Sequence, residues 1–207
     1  DSYEKAIAIK PGLAEAHYFL GFNFFTLGRI KEAAKLFENA INIKPDYAQA
    51  HAKLGNIFKK LKQFDKAMLC YERAYEIKPD MNFILGDILN NKLNLCDWTG
   101  LASLLNEAKK KIVNNEKAIG PFSLLSLLDD PALQRKASET FAKFYYPKSH
   151  ALPKLELYPR HKKIRIGYFS ADFKVHPVAT LTAELYEMHD RNHFEIHAFS
   201  FGPDTND

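Results

Sequence analysis

Long apolar runs are missing from this 207-residue sequence: the strongest, Phe122–Leu128, is interrupted by two serines and falls far short of the ~20 residues that cross a bilayer. No membrane span is expected. Cysteine is nearly absent too. Cys70 and Cys96 supply neither a disulfide framework nor a metal site, and both read as reduced packing residues, which points to a cytoplasmic protein. No basic leader precedes Asp1, where an amphipathic pattern is already under way, so the start reads as a cut. The chain has no Walker loop, no Gly-rich dinucleotide fingerprint and no Ser-His-Asp order. What is present is ordinary for a folded chain: 46% apolar and 26% charged residues exclude general disorder. The formal charge of +4 rests on lysines such as Lys59, Lys60 and Lys62, or Lys109, Lys110 and Lys111. They alternate with acids and apolar residues, as on solvated helix faces, so nucleic acid is not an expected partner.

A fixed period dominates the first half. Lys10-Pro11, Lys44-Pro45 and Lys78-Pro79 recur every 34 residues, the spacing of tetratricopeptide repeats. From Ala14 the diagnostic positions are His17, Leu20, Gly21, Phe24, Ala33, Phe37, Ala40 and Pro45. From Ala48 they are His51, Leu54, Gly55, Phe58, Ala67, Tyr71, Ala74 and Pro79. Tyr3, Ala6 and Pro11 are the tail of a preceding repeat. Small residues let two antiparallel helices approach, aromatics fill the gap, and the prolines stop the second helix. Gly28 and Lys62-Gln63 fall at the turns inside each repeat, and Asp46 and Asp80 at the start of the next helix. His17 and His51 read as packing residues rather than metal ligands. The expected product is an α-solenoid over residues 1–79, whose groove holds a peptide or another protein.

Beyond Pro79 the pattern decays into a helical connecting segment, residues 80–146. Phe83–Leu89 reads as one more first helix. Asp97 or Thr99 is expected to cap a helix through Leu101, Leu104, Leu105, Ala108 and Ile112, which Gly120-Pro121 ends. A short helix is expected around Phe122–Leu128, and Asp130-Pro131 opens another with Leu133, Ala137, Phe141 and Phe144 on one side. Residues 147–162 read as a proline-spaced linker.

From Lys163 the period changes. Ile164, Ile166, Tyr168 and Phe169 suggest a strand, a helix is expected from Pro177 to His189, and Phe194–Phe201 alternates like a second strand. Strand, helix and strand imply a parallel sheet whose ligands gather at the carboxyl ends of its strands. Asp172, Lys174, His176 and the Gly202-Pro203-Asp204 turn lie at that edge. His176 is the sharpest candidate: at a helix N-terminus the dipole favours the neutral imidazole, able to accept a proton or bond a hydroxyl. The plainer alternative is that His176 only caps the helix before Pro177. His189, His193 and His197 recur at four-residue intervals but share no helical face, so no metal site is expected.

Leu95-Cys96-Asp97-Trp98, then Ile164-Arg165-Ile166-Gly167-Tyr168-Phe169-Ser170-Ala171-Asp172-Phe173, His176-Pro177, Phe194-Glu195 and Gly202-Pro203-Asp204, in this order after repeats, resemble the O-linked N-acetylglucosamine transferase and SPINDLY-like family. The resemblance covers essentially the whole chain and is most specific over Lys163–Asp207. It implies an inverting glycosyltransferase of two facing Rossmann-like lobes (GT-B), of which residues 163–207 start the first. Such an enzyme moves a sugar from a nucleotide donor, UDP-N-acetylglucosamine or GDP-fucose, to Ser or Thr of a protein held by the repeats, without a metal. It places His176 at the active site as base or positioning group, with Asp172, Lys174 and Pro177 at the same substrate edge. Most nucleotide contacts in the family lie in the second lobe, so this chain alone is expected to be inactive. Lys174-Val175 departs from the small or polar residues of better-known members. The rival expectation is an interaction scaffold in which the α/β segment is only an end cap.

Overall fold

The computed structural model describes residues 2–147 and 161–202, so most of the expected linker, Pro203 and Asp204 lie outside the described residues. The chain forms two compact units, residues 1–149 and 150–207.

The first unit is helical: α1 (Ser2–Ile9), α2 (Ala14–Thr26), α3 (Ile30–Ile43), α4 (Ala48–Lys60), α5 (Phe64–Ile77), α6 (Ile84–Leu95), α7 (Leu101–Val113), α8 (Pro121–Leu125) and α9 (Pro131–Tyr145). The pairs α2 with α3 and α4 with α5 form two repeats that stack through α3 on α4, giving the expected solenoid. Gly28, at φ +76°, and Lys62, at φ +58°, make the turns within them. A Cβ on Gly21 would meet the Phe37 ring at 3.1 Å, and one on Gly55 the Tyr71 ring at 2.7 Å. Both rings are fully buried. Each repeat therefore closes by laying a second-helix aromatic directly on first-helix backbone, which only glycine permits.

The two repeat histidines do more than pack. His17 Nε2 bonds the Pro11 carbonyl at 2.9 Å and His51 Nε2 the Pro45 carbonyl at 3.0 Å. Each fastens its first helix to the Lys-Pro turn before it. Asp46 lies one residue before Tyr47, which occupies the cap position of α4, and Asp80 lies three residues before Phe83, the cap residue of α6.

The connecting segment departs from the repeat in a defined way. Helix α6 packs on α5 as a further first helix would, but Gly86 meets Ile119 from the loop after α7, where a Cβ would lie 2.9 Å from the Ile119 backbone. Gly86 N–H also donates to Ala118 O at 3.0 Å. A loop thus takes the place of the second-helix aromatic. Neither Asp97 nor Thr99 caps α7. Gly100, at φ +67°, occupies that position, while Asp97 Oδ1 accepts from Thr99 N at 2.9 Å to shape the turn. The hydrogen bond from Lys92 Nζ, with that from Thr99 N, holds the Asp97 carboxyl down to about 2. Helix α7 ends well before Gly120-Pro121, because Asn115 turns left-handed at φ +60°. Helix α8 spans only Pro121–Leu125, shorter than expected. Asp130 caps α9 as expected, its Oδ1 accepting from Leu133 N at 3.0 Å with Pro131 following. Among the described residues, no helix is long and apolar enough to cross a membrane.

The second unit contains β1 (Ile164–Ser170), α10 (Pro177–Glu187) and β2 (Phe194–Ser200), with the strands parallel and Ile164 opposite Phe194. Helix α10 stops short of the expected His189, with Met188 as its cap residue. Tyr168 faces α10 and packs edge-on against Tyr186. Phe169 and Phe199 stack on the other face at 4.6 Å and stay exposed. One helix covers one face of two strands, so no described residue between 161 and 202 is fully buried.

Candidate functional site

The carboxyl ends of the parallel strands build the first candidate site. Ser170 closes β1, and its Oγ accepts from Asp172 N at 3.0 Å, turning the chain sharply off the sheet. Phe201 N donates to Ser170 O at 3.2 Å, and a Cβ on Gly202 would lie 2.1 Å from Ala171 O. The segment after β2 is thereby held against the turn after β1, and Gly202 is the residue that allows it.

Within this edge the structure brings Asp172 and His176 together. His176 Nδ1 lies 3.9 Å from Asp172 Oδ2, too far for a hydrogen bond, and both side chains are 38% exposed. His176 is the cap residue of α10: its Nδ1 accepts from Val178 N at 3.2 Å, and its carbonyl accepts from Thr180 N at 3.1 Å and from Thr180 Oγ1 at 3.3 Å. Pro177 is the first helical residue. Lys174 is half-buried in the turn beside them. The tautomer follows from the cap: a neutral ring that accepts at Nδ1 carries its proton on Nε2. In this arrangement Nε2 is a donor to whatever meets it.

His189, His193 and His197 are engaged separately. Tyr168 Oη and His189 Nε2 are 2.7 Å apart, His193 Nδ1 lies 2.5 Å from Asp190 Oδ2, and His197 Nε2 lies 3.1 Å from Glu195 Oε1. Among the described residues, no cluster of three or more His, Cys, Asp or Glu is placed to hold a metal ion.

The repeat unit offers a second site that sequence reading missed. A cavity of about 150 Å³ opens where the first helices α2, α4 and α6 line up, walled by Tyr18, Phe83 and Tyr145 with Lys53, Asn56 and Asp87 among its polar groups. Phe83 is left-handed at φ +66°, and its N–H donates to Lys117 O at 2.6 Å. That bond holds a conformation that few side chains adopt unaided. Desolvation pushes the Asp87 carboxyl up to about 6 against the opposing pull of Lys59 and Lys53. The available signal was the 34-residue comparison itself: Phe22 and Phe37 of one repeat become Asn56 and Tyr71 in the next. The Tyr71 hydroxyl donates to Asn56 Oδ1 at 2.8 Å. This bond orients the carboxamide.

Residues 141–207 match the model of glycosyl transferase family 41. Residues 23–62 match the TPR repeat model and residues 48–81 the tetratricopeptide repeat model. The glycosyl transferase family 41 match begins within α9 and takes in β1, α10 and β2, so Asp172, Lys174, His176 and Pro177 all lie inside it. No curated protein matches the chain. Among solved structures, MamA shares 22% identity over 76% of this chain and 67% of its own, with a TM-score of 0.47. YrrB, described as a TPR protein with an unusual peptide-binding site, shares 13% identity over 70% of this chain and 67% of its own, with a TM-score of 0.49.

Proposed function

We propose that this chain is the acceptor-binding and first-lobe part of a protein O-glycosyltransferase, moving N-acetylglucosamine from UDP-N-acetylglucosamine to Ser or Thr of proteins held by the repeats. The carrying observation is the coincidence of the glycosyl transferase family 41 match with a half-exposed histidine at the ligand edge of a parallel strand pair. Parallel sheets are covered on both faces, so the stacked Phe169–Phe199 face is where further strands and helices of a Rossmann-like lobe pack. The second, facing lobe of a GT-B enzyme then closes the donor pocket. Without those parts the 207-residue chain does not transfer sugar. The thiols of Cys70 and Cys96 are free, and burial pushes that of Cys70 up to about 11. Both suit a reducing, cytoplasmic setting.

The cap geometry refines the role of His176. A ring held by Val178 N at Nδ1 presents Nε2–H, which donates to an acceptor hydroxyl, a sugar hydroxyl or a phosphate oxygen. For the same ring to act as general base at Nε2, it must give up the cap and change tautomer. Positioning is therefore the role that this conformation supports, and Asp172, Lys174 and Pro177 shape the turn that delivers the ring. One observation favours the rival scaffold function: His176 does cap α10, which is a structural task in its own right.

The test is incorporation of labelled N-acetylglucosamine from UDP-N-acetylglucosamine into protein by the polypeptide that joins this chain to both completed lobes, with GDP-fucose run in parallel. Incorporation from the first donor is expected. Transfer from GDP-fucose alone would reassign the sugar, and transfer from neither would leave the scaffold function.

A further inference from the structure

We propose that a cationic cavity, formed where the loop after α7 meets α9, binds the phosphomonoester of a small sugar, its phosphate oxygens on the Lys117 and Lys143 ammonium groups and on Asn115 Nδ2. The cavity measures about 340 Å³ and is lined by Asn115, Lys117, Thr140, Lys143 and Phe144. Among the described residues, no carboxylate lines it.

The end of α7 does not explain Lys117. Lysines gather at helix C-termini because they offset the dipole and meet the last free carbonyls, but those of α7 already have partners. Asn114 N donates to Lys110 O at 3.1 Å, Glu116 N to Lys111 O at 2.9 Å, Asn115 N to Ile112 O at 3.0 Å, and Lys136 Nζ to Val113 O at 2.5 Å. Ion pairing accounts for neither lysine of the cavity. Glu116, beside Lys117 in the chain, pairs with Lys111 at 3.2 Å, and Glu139, one turn before Lys143, pairs with Arg135 at 2.9 Å. Lys143 acts on Glu139 only through space. Both ammonium groups are left for a ligand.

The lining is also held in place before any ligand arrives. The Lys117 ammonium lies over the Phe144 ring, 4.4 Å from its centroid, and the Lys117 carbonyl accepts from Phe83 N at 2.6 Å. Asn115 is fixed by its left-handed turn at φ +60°, and among the described residues its carboxamide carries no hydrogen bond. Thr140 differs, because its hydroxyl donates to Lys136 O at 2.9 Å, which leaves Oγ1 as an acceptor. The cavity therefore presents three donors, two of them charged, and one acceptor. A phosphomonoester matches that inventory, with about −1.5 to −2 of charge at pH 7 and three acceptor oxygens. A carboxylate would leave one cation unmatched. The Thr140 acceptor, and a volume well beyond that of a phosphate group, call for a hydroxylated remainder. A sugar suits it better than a nucleobase: Lys117 covers the Phe144 face on which a base would stack, and Phe83 and Tyr145 pack against the same ring.

The test is an amide NMR titration of the 207-residue chain with glucose-6-phosphate at low ionic strength, with inorganic phosphate, adenosine monophosphate and a phosphoserine peptide run in parallel. Shifts are expected at Asn115, Lys117, Thr140, Lys143 and Phe144, saturating with a Kd of about 1 mM or below. Lys117→Gln and Lys143→Gln should each weaken binding about 10-fold, as loss of a charge-assisted hydrogen bond does. Lys117→Arg, which keeps the charge, should stay within about threefold of the wild type. So should Lys110→Gln, which removes a charge from the same end of α7 but outside the cavity lining. Equal weakening by Lys110→Gln assigns the effect to the general field of the chain and overturns the site, as does the absence of shifts at the lining residues. Inorganic phosphate binding as tightly as glucose-6-phosphate overturns the sugar, and tighter adenosine monophosphate overturns the choice of sugar over base. Preference for the phosphoserine peptide overturns the small-molecule ligand.

Discussion

One methyl group at Gly55 lowers the melting temperature of this chain by about 2–8 °C. The Cβ of Gly55→Ala would stand 2.7 Å from Tyr71 Cε1 and 2.8 Å from Cδ1, inside any distance that real side chains keep. Tyr71 cannot retreat. Its ring is fully buried and its hydroxyl is bonded to Asn56. Overpacking of this kind typically costs ~1–3 kcal/mol, and the ~1 kcal/mol that alanine gains over glycine in a helix offsets only part of it. Gly12 is the control, since a Cβ there meets nothing within 4 Å. Gly12→Ala should stay within ~0.5 kcal/mol of wild type. Thermal melts of the two variants side by side separate ring-on-backbone closure from a general effect of removing glycine.

His176→Asn in the polypeptide with both lobes keeps α10 capped and lowers sugar transfer by roughly 10²-fold or more. Asparagine is among the strongest cap residues, so the hydrogen bond from Val178 N is preserved while the ring and its Nε2–H are lost. His176→Ala loses both. The two variants should therefore differ in melting temperature and agree in activity. If capping were the only task of His176, asparagine would restore activity along with stability. Turnover rate and Tm, measured on the same two preparations, distinguish these outcomes.

The repeat architecture was legible because its constraints are local and recur. Gly21 and Phe37, Gly55 and Tyr71 stand in fixed register 34 residues apart, and each pair closes the same contact. The strand, helix and strand after Lys163 were legible for a similar reason, since apolar alternation and Pro177 mark their own boundaries. Of the expected Rossmann-like lobe, the described residues show one parallel pair of strands with a helix between them. What escaped the sequence depends on contacts between distant residues. Ile119 packs on Gly86 from a loop that carries no periodic signal. Asn115 ends α7 by a left-handed turn, although Gly120-Pro121 looked the stronger stop. At the strand edge, the position of His176 could be read from the order of strand, turn and helix. Which nitrogen it leaves free could not, because that is decided by a single backbone bond from Val178. The cavity beside Asp87 was hidden for a related reason: its lining comes from α2, α4, α6 and α9, and nothing in any one of those segments marks it.

The two units are linked in function if the repeats deliver the acceptor whose hydroxyl meets the edge at His176. The most direct test is the rate of labelled N-acetylglucosamine transfer to a protein acceptor by the polypeptide with both lobes, titrated with a serine- and threonine-free peptide selected on the repeats. Transfer should fall as the peptide fills the groove, with half-inhibition near its Kd and KM rising while kcat holds. A peptide that saturates the groove and leaves transfer unchanged would contradict delivery of the acceptor by the repeats.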